Sequence, residues 1–252
     1  MTPPPPADAP LPDAVGLPAE DEPDELTPTR FSMERGLLVI GDRTELILVR
    51  HAQQLRTLAE AYQDGGPRLS EFGRVQARLK GEFLAAEHAA PVDAVYCSDL
   101  NRTMETAQII ASALAAGHQP RPDAGLREVD MYSRDQGGAD VSAEVQAKAG
   151  EEFAHTLRWD SFPNTEPGED FRRRICITLE RIARAHPNDR VIVVSHAGAI
   201  SAAIAHFVGA VPDMFYFAGH ASVSRIFYGD NKFVTHSLNE VGHLRAQGAL
   251  TF

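Results

Sequence analysis

Five side chains in this sequence suit the handling of a phosphoryl group, and they fall in four short stretches. Arg50 and His51 follow the apolar run 46–49 in T-E-L-I-L-V-R-H-A-Q-Q. Arg102 lies in S-D-L-N-R-T, Glu128 in L-R-E-V-D and His196 in V-S-H-A-G. A guanidinium grips two phosphoryl oxygens with a planar fork. An imidazole can attack phosphorus and form a covalent intermediate. A carboxylic acid can protonate a leaving alkoxide and then activate water. Paired histidines also raise metal binding, but no H-E-x-x-H or comparable spacing occurs, and two arginines would repel a cation. No metal and no cofactor are expected. The rival reading is structural: Arg50 opening a solvated loop, His51 capping a helix, Arg102 on a helix surface and Glu128 as one of many solvated acids.

The elements that would bring these residues together can be read from periodicity. Runs 46–49, 94–97 and 191–194 are continuous and apolar, as in strands buried on both faces of a parallel sheet. The two most hydrophobic of them each end in a histidine, His51 and His196. In a parallel sheet both ends share one edge, where open α/β sheets bind ligands. Helices are expected over 53–62, over the stretch after an N-cap at Ser70, and over 101–114, 142–157, 168–185 and 199–208. The core stripes are Phe72, Val75, Leu79, Phe83 and Leu84 in the second of these, Met104, Ile109, Ile110 and Leu114 in the third, and Phe171, Ile175, Leu179 and Ile182 in the fifth. Residues 37–40 could add a short edge strand, and 117–125 read as loop. Runs 223–228 and 232–237, joined by Gly229-Asp230-Asn231, predict a hairpin. The fold class is α/β: three layers, α/β/α, with a mainly parallel central sheet and an antiparallel edge near the C-terminus.

A length of 252 residues with 43% hydrophobic residues supports one sizeable domain, placed at 31–252. Residues 1–30 hold nine of the 17 prolines and seven acids against one basic residue, Arg30, and are expected to be a disordered acidic tail. Segment 132–167 has no strong period and reads as a variable lid. The net charge of -11 with no basic stripe excludes nucleic acid as a partner, so an anion must be drawn by a local basic pocket. Cys97 and Cys176 form neither a disulfide scaffold nor a metal site and suggest thiols in a reducing compartment. No signal peptide is visible, and the most apolar window, 191–211, is broken by Ser195, His196, Ser201 and His206, unlike a membrane span. A cytoplasmic protein is expected. Its partners would be a small phosphorylated substrate and at most a second copy in a homodimer, with no membrane and no nucleic acid.

In order and spacing these stretches resemble the histidine phosphatase superfamily, whose fold is shared with cofactor-dependent phosphoglycerate mutases. The resemblance runs from about residue 46 to residue 244. Arg50-His51-Ala52-Gln53 is similar to the family's R-H-G signature. Leu69-Ser70-Glu71-Phe72-Gly73 with Gln76-Ala77 resembles its L-T/S-x-x-G-x-x-Q-A helix start. Ser98 to Arg102 with Thr106-Ala107 resembles S-x-L-x-R-x-x-x-T-A, and Leu126-Arg127-Glu128 the piece carrying the acid. Pro167-Gly168-Glu169 and Ser195-His196-Ala197-Gly198 resemble two further motifs. Leu238-Asn239 and His243-Leu244 resemble the C-terminal edge. The resemblance implies that His51 becomes phosphohistidine. Arg50, Arg102 and His196 would hold the phosphoryl oxygens, and Glu128 would serve as acid and then base. Thr57, where Asn is common, and Ala197 would add phosphate contacts. The departures are Ala52 and Ala197 where the family has glycine and Gln54 where Thr is common; Asp99, beside Arg102 in sequence, could temper the positive charge of the pocket.

The function so implied is a metal-independent phosphomonoester hydrolase, a histidine acid phosphatase-like enzyme. It would act through a phosphohistidine intermediate on a small phosphorylated metabolite. One alternative is a phosphoglycerate mutase-type phosphotransferase; the mutases carry E-R-H-Y-G around the acid where this chain has E-V-D-M-Y. The other is a catalytically weak module that binds a phosphorylated ligand, supported by the two alanines and the acidic tail. His206, His220 and His243 are expected in the core or on the surface, Glu105 and Asp130 as surface charges, and Phe215, Tyr216 and Phe217 as packing. Trp159 could line a substrate pocket.

Overall fold

The structure is a computed structural model that describes residues 43–56, 64–87, 91–114, 117–131 and 141–252. Residues 41–252 form one compact unit. Among the described residues six strands make one sheet: β1 (Thr44–Arg50), β2 (Ala94–Cys97), β3 (Arg121–Pro122), β4 (Arg190–Ser195), β5 (Val223–Gly229) and β6 (Lys232–Glu240), in the order β3-β2-β4-β1-β5-β6. β3, β2, β4 and β1 run parallel, while β5 and β6 add the antiparallel edge. The hairpin turns at Asp230 and Asn231, both with positive φ, and so uses residue types that tolerate that region. β3 falls in the stretch read as loop. It is two residues long, too short for a periodic signal.

β1 explains the layering. Leu46 and Leu48 point to one face and pack with Phe171, Ile175, Leu179 and Ile204. These come from α4 (Gly168–Ala185) and α5 (Ala197–Val208). Ile47 and Val49 point to the other face and pack with Leu84, Ala107 and Ile110. These belong to α1 (Glu71–Ala86) and α2 (Asn101–Ala113). All four β1 side chains are at most 1% exposed, so each contributes about 1.5–3 kcal/mol of burial free energy. Helix α3 (Ala143–Thr156) and α6 (Gly242–Ala246) complete the described elements. No helix of the described residues is long and apolar enough to cross a membrane.

Two expectations for the helices are corrected. Residues 53–56 are not helical; Gln54 bridges to Leu69 as an isolated antiparallel pair. The rest of that expected helix, with Thr57, lies outside the described residues, as do the tail, the 37–40 run and 132–140. In α1 the buried face is Gly73, Gln76, Ala77, Lys80, Gly81 and Leu84, while Phe72 and Val75 are 40% and 38% exposed. The apolar stripe misled because α1 docks through small residues. A Cβ on Gly81 would meet Ala113 Cβ at 2.8 Å, and one on Gly73 would meet the Gln53 carbonyl oxygen at 2.0 Å. Gly73→Ala must therefore push the Gln53 backbone away. A loss of about 1–3 kcal/mol is expected from such overpacking, read as a lower urea midpoint at an unchanged m-value.

Candidate active site

The sheet register brings the two histidines together. Arg50 pairs with Ser195 across parallel strands, so His51 and His196 are the next residues on the two neighbouring strands. The His51 amide donates to the Ser195 carbonyl at 2.9 Å, and the two rings lie 5.3 Å apart, edge to face. β2 ends one strand over. There the Ser98 amide donates to the Val194 carbonyl at 3.0 Å, and α2 starts at Asn101 with Arg102 in its first turn. Glu128 arrives on the loop after a 3₁₀ turn at Ala124–Leu126. Ser195 Oγ donates to the Leu126 carbonyl at 2.8 Å, which ties that loop to the end of β4. Arg174, gripped by both oxygens of Glu166, donates to the Gly125 and Arg127 carbonyls at 3.1 Å each.

The carboxylate of Glu128 is fixed by two backbone donors. Gly198 N–H reaches one oxygen at 3.0 Å and Val129 N–H the other at 3.1 Å. Burial raises this carboxyl above its usual range, against the pull of those amides and of Arg102 and Arg50. Gly198 has no freedom to carry a side chain. A Cβ there would meet Glu128 Oε1 at 2.5 Å and the Trp159 ring at 2.8 Å. Gly198→Ala displaces the acid, and misplacement on the order of 1 Å can cost about 100-fold in rate. Steady-state kcat for the variant is expected to drop by roughly that factor, measured at a temperature where its circular dichroism shows it folded.

His51 is held as a neutral imidazole. Burial lowers it well below its usual 6.5, and Arg102, His196 and Arg50 add repulsion. Its Nδ1 lies 2.8 Å from the Ala52 carbonyl oxygen. A carbonyl only accepts, so Nδ1 carries the hydrogen and the lone pair sits on Nε2. His196 is likewise lowered, first by burial and then by Arg102 and Arg50. Arg50 is pushed down to about 10 by burial, which leaves it charged at neutral pH. Two guanidinium charges with neutral imidazoles make a local positive pocket in an acidic protein.

Buried polar atoms without partners cluster here. They include Arg50 Nε, Arg102 Nε, both ring nitrogens of His196 and Trp159 Nε1. Buried polar groups in folded proteins are nearly always satisfied, so a cluster of unpaired ones marks where a polar ligand supplies the missing bonds. A cleft of about 830 Å3 opens beside them, lined by Leu100, Arg102, Arg127, Glu128, Met131 and Arg174 among others. Among the described residues no group of three or more His, Cys, Asp or Glu is disposed to hold a metal ion.

The family model of the histidine phosphatase superfamily (branch 1) matches residues 46–241. The chain belongs to this superfamily. As a histidine phosphatase it is 30% identical over 230 residues to the metal-independent phosphoserine phosphatase of Arabidopsis thaliana, covering 87% of this chain and 91% of that one. It is 33% identical over 213 residues to phosphoserine phosphatase 1 of Hydrogenobacter thermophilus, covering 79% and 94%. Among solved structures, a phosphoglycerate mutase from Bacillus anthracis shares the fold with a TM-score of 0.66 at 20% identity, covering 81% of this chain and 96% of that one.

In this histidine phosphatase Arg50, His51, Arg102, Glu128 and His196 all converge, and Ala197 opens α5 beside them. Neither Ala52 nor Ala197 has a positive φ, so the alanines cost no backbone strain. Ala52 is fully buried among Leu69, Ala77, Ala221 and Leu244. The glycine that matters is Gly198. Asp99 forms a two-pronged pair at 2.6 Å with Arg127, a residue that lines the cleft. Glu105 is a structural acceptor for the Leu69 amide and Arg74. His220, expected as core or surface, is 2% exposed with its ring 5.8 Å from that of His51. The sequence signal for it is weak: a histidine three residues before a strand, with no local pattern that encodes the strand's antiparallel pairing with β1.

Proposed function

We propose that this histidine phosphatase hydrolyses small phosphomonoesters through a phosphohistidine on His51. The observation that carries the reading is the Nδ1 hydrogen bond to the Ala52 carbonyl, which leaves the Nε2 lone pair of a neutral ring among two guanidinium groups. Nε2 attacks phosphorus, and the P–O bond to the leaving alkoxide breaks. Arg50, Arg102 and His196 hold the three phosphoryl oxygens as charge redistributes. Glu128, whose hold on its proton burial strengthens, gives that proton to the alkoxide. The resulting carboxylate then takes a proton from the water that releases phosphate. Ala197 and Thr57 belong to the same phosphate-binding set. Segment 132–167 acts as the lid, a role supported by the contact of its Trp159 with the Glu128–Gly198 corner.

O-phosphoserine is the first substrate to test, because two relatives that align over most of their length carry that activity in their names. Released phosphate with no isomerised product separates hydrolysis from a mutase reaction. A cytoplasmic location is part of this reading and is supported by Cys97 and Cys176 both being free thiols.

The pH profile follows from the two shifts. His51 must be neutral, and its lowered value keeps it so on the acid side of 6.5. Glu128 must be protonated, and its raised value carries that state above its usual 4.5. kcat/KM for O-phosphoserine should therefore hold on the acid side of 6.5, where an ordinary imidazole would be protonated, and fall as the pH rises and Glu128 ionises. Glu128→Gln should lose the alkaline limb.

A further inference from the structure

Arg50 does not reach the phosphate as a free side chain. One terminal nitrogen donates to the Ala218 carbonyl at 2.6 Å, and the other lies 3.0 Å from His220 Nε2. An arginine has no acceptor, so Nε2 of His220 must present its lone pair and the hydrogen must sit on Nδ1. That nitrogen lies 3.0 Å from Thr251 Oγ1, and the His220 amide donates to the Thr251 carbonyl at 3.0 Å. Thr251 Oγ1 also accepts from Gln76 Nε2 at 2.8 Å. Gln76 in turn accepts the Gln53 amide at 2.9 Å, two residues beyond His51. The circuit from Arg50 through His220, Thr251 and Gln76 back to Gln53 closes around His51.

We infer that His220 is a positioning residue for the phosphate clamp: it orients the Arg50 guanidinium, and Thr251 holds the His220 ring in place by accepting from its Nδ1–H. Burial and the Arg50 charge push His220 down to about 3, so it stays a neutral acceptor across the working range. Both terminal nitrogens of Arg50 are held by the protein, and the buried Nε is left without a partner. The guanidinium is thus set in one orientation before a phosphate arrives. Arg50 demands the lone pair on Nε2, and the Thr251 hydroxyl supports that tautomer as an acceptor for Nδ1–H. The other tautomer would point an N–H at Arg50 and push the guanidinium away.

The inference rests on Arg50 binding phosphate, so the test uses inorganic phosphate as a competitive inhibitor alongside turnover of O-phosphoserine. His220→Ala is expected to raise the inhibition constant of phosphate about 10-fold or more, the scale of one hydrogen bond to a charged group. Most of the loss in kcat/KM should appear in KM. His220→Gln, which can present a carbonyl near the position of Nε2, should recover most of it. Thr251→Val, which removes the hydroxyl acceptor for Nδ1–H without touching His220, should reproduce part of the loss, and it carries the test if His220→Ala fails to fold. The inference is overturned if the folded variants keep the wild-type inhibition constant within about twofold, or if His220→Gln recovers nothing, which would make His220 a packing residue. Arg50→Ala separates the two levels. If it too leaves phosphate inhibition unchanged, the phosphate-binding reading itself fails.

Discussion

His51→Ala is expected to lower kcat by about 10⁴-fold or more, the scale seen when a covalent nucleophile is deleted from an assembled site. Folding should survive, because the ring forms one local hydrogen bond to Ala52 and is no part of the three apolar clusters. Phosphate should still bind, since Arg50, Arg102 and His196 remain. Loss of turnover together with retained competitive inhibition by phosphate is therefore the expected signature. An activity within tenfold of wild type would place the nucleophile elsewhere.

Glu128→Gln is the second large effect, and its size depends on the leaving group. For O-phosphoserine the departing oxygen is an alkoxide and needs a proton, so kcat should fall by roughly 10²–10⁴-fold, the usual contribution of a positioned general acid. For 4-nitrophenyl phosphate the phenolate leaves without help, and the loss should shrink to what the later water attack requires. The substitution also removes an acceptor. Glu128 takes the Gly198 amide on one oxygen and the Val129 amide on the other, and a glutamine cannot accept at both positions. A part of the loss common to both substrates is therefore geometric. Burst kinetics on the aryl substrate isolates it: a normal burst followed by a slow steady state assigns the residue to dephosphorylation.

The site was legible in the sequence wherever a strand end carries the residue. His51 and His196 end the two most apolar runs, and a parallel sheet leaves them no other place to meet. Arg102 follows because α2 begins at that same edge. What could not be read was anything set by packing between distant segments. The apolar stripe of α1 pointed to Phe72 and Val75, yet the helix docks through Gly73 and Gly81, whose missing side chains give no periodic signal. The alanines beside the histidines looked like the weak points. The tight position is Gly198, because Glu128 and Trp159 close on it from 70 and 39 residues away in sequence. His220 reads only as a core or surface histidine, because its bonds to Arg50 and Thr251 join segments far apart in sequence and no local pattern encodes that meeting.

The central claim is the covalent phosphohistidine. The direct measurement is a rapid-quench experiment with 32P-labelled O-phosphoserine, in which the protein is denatured within milliseconds and counted under alkaline and acidic conditions. The expected result is label bound in near-stoichiometric amount, stable to alkali, lost in acid and absent from His51→Ala. Steady phosphate release with no protein-bound label at any substrate concentration, or equal labelling of His51→Ala, would contradict it.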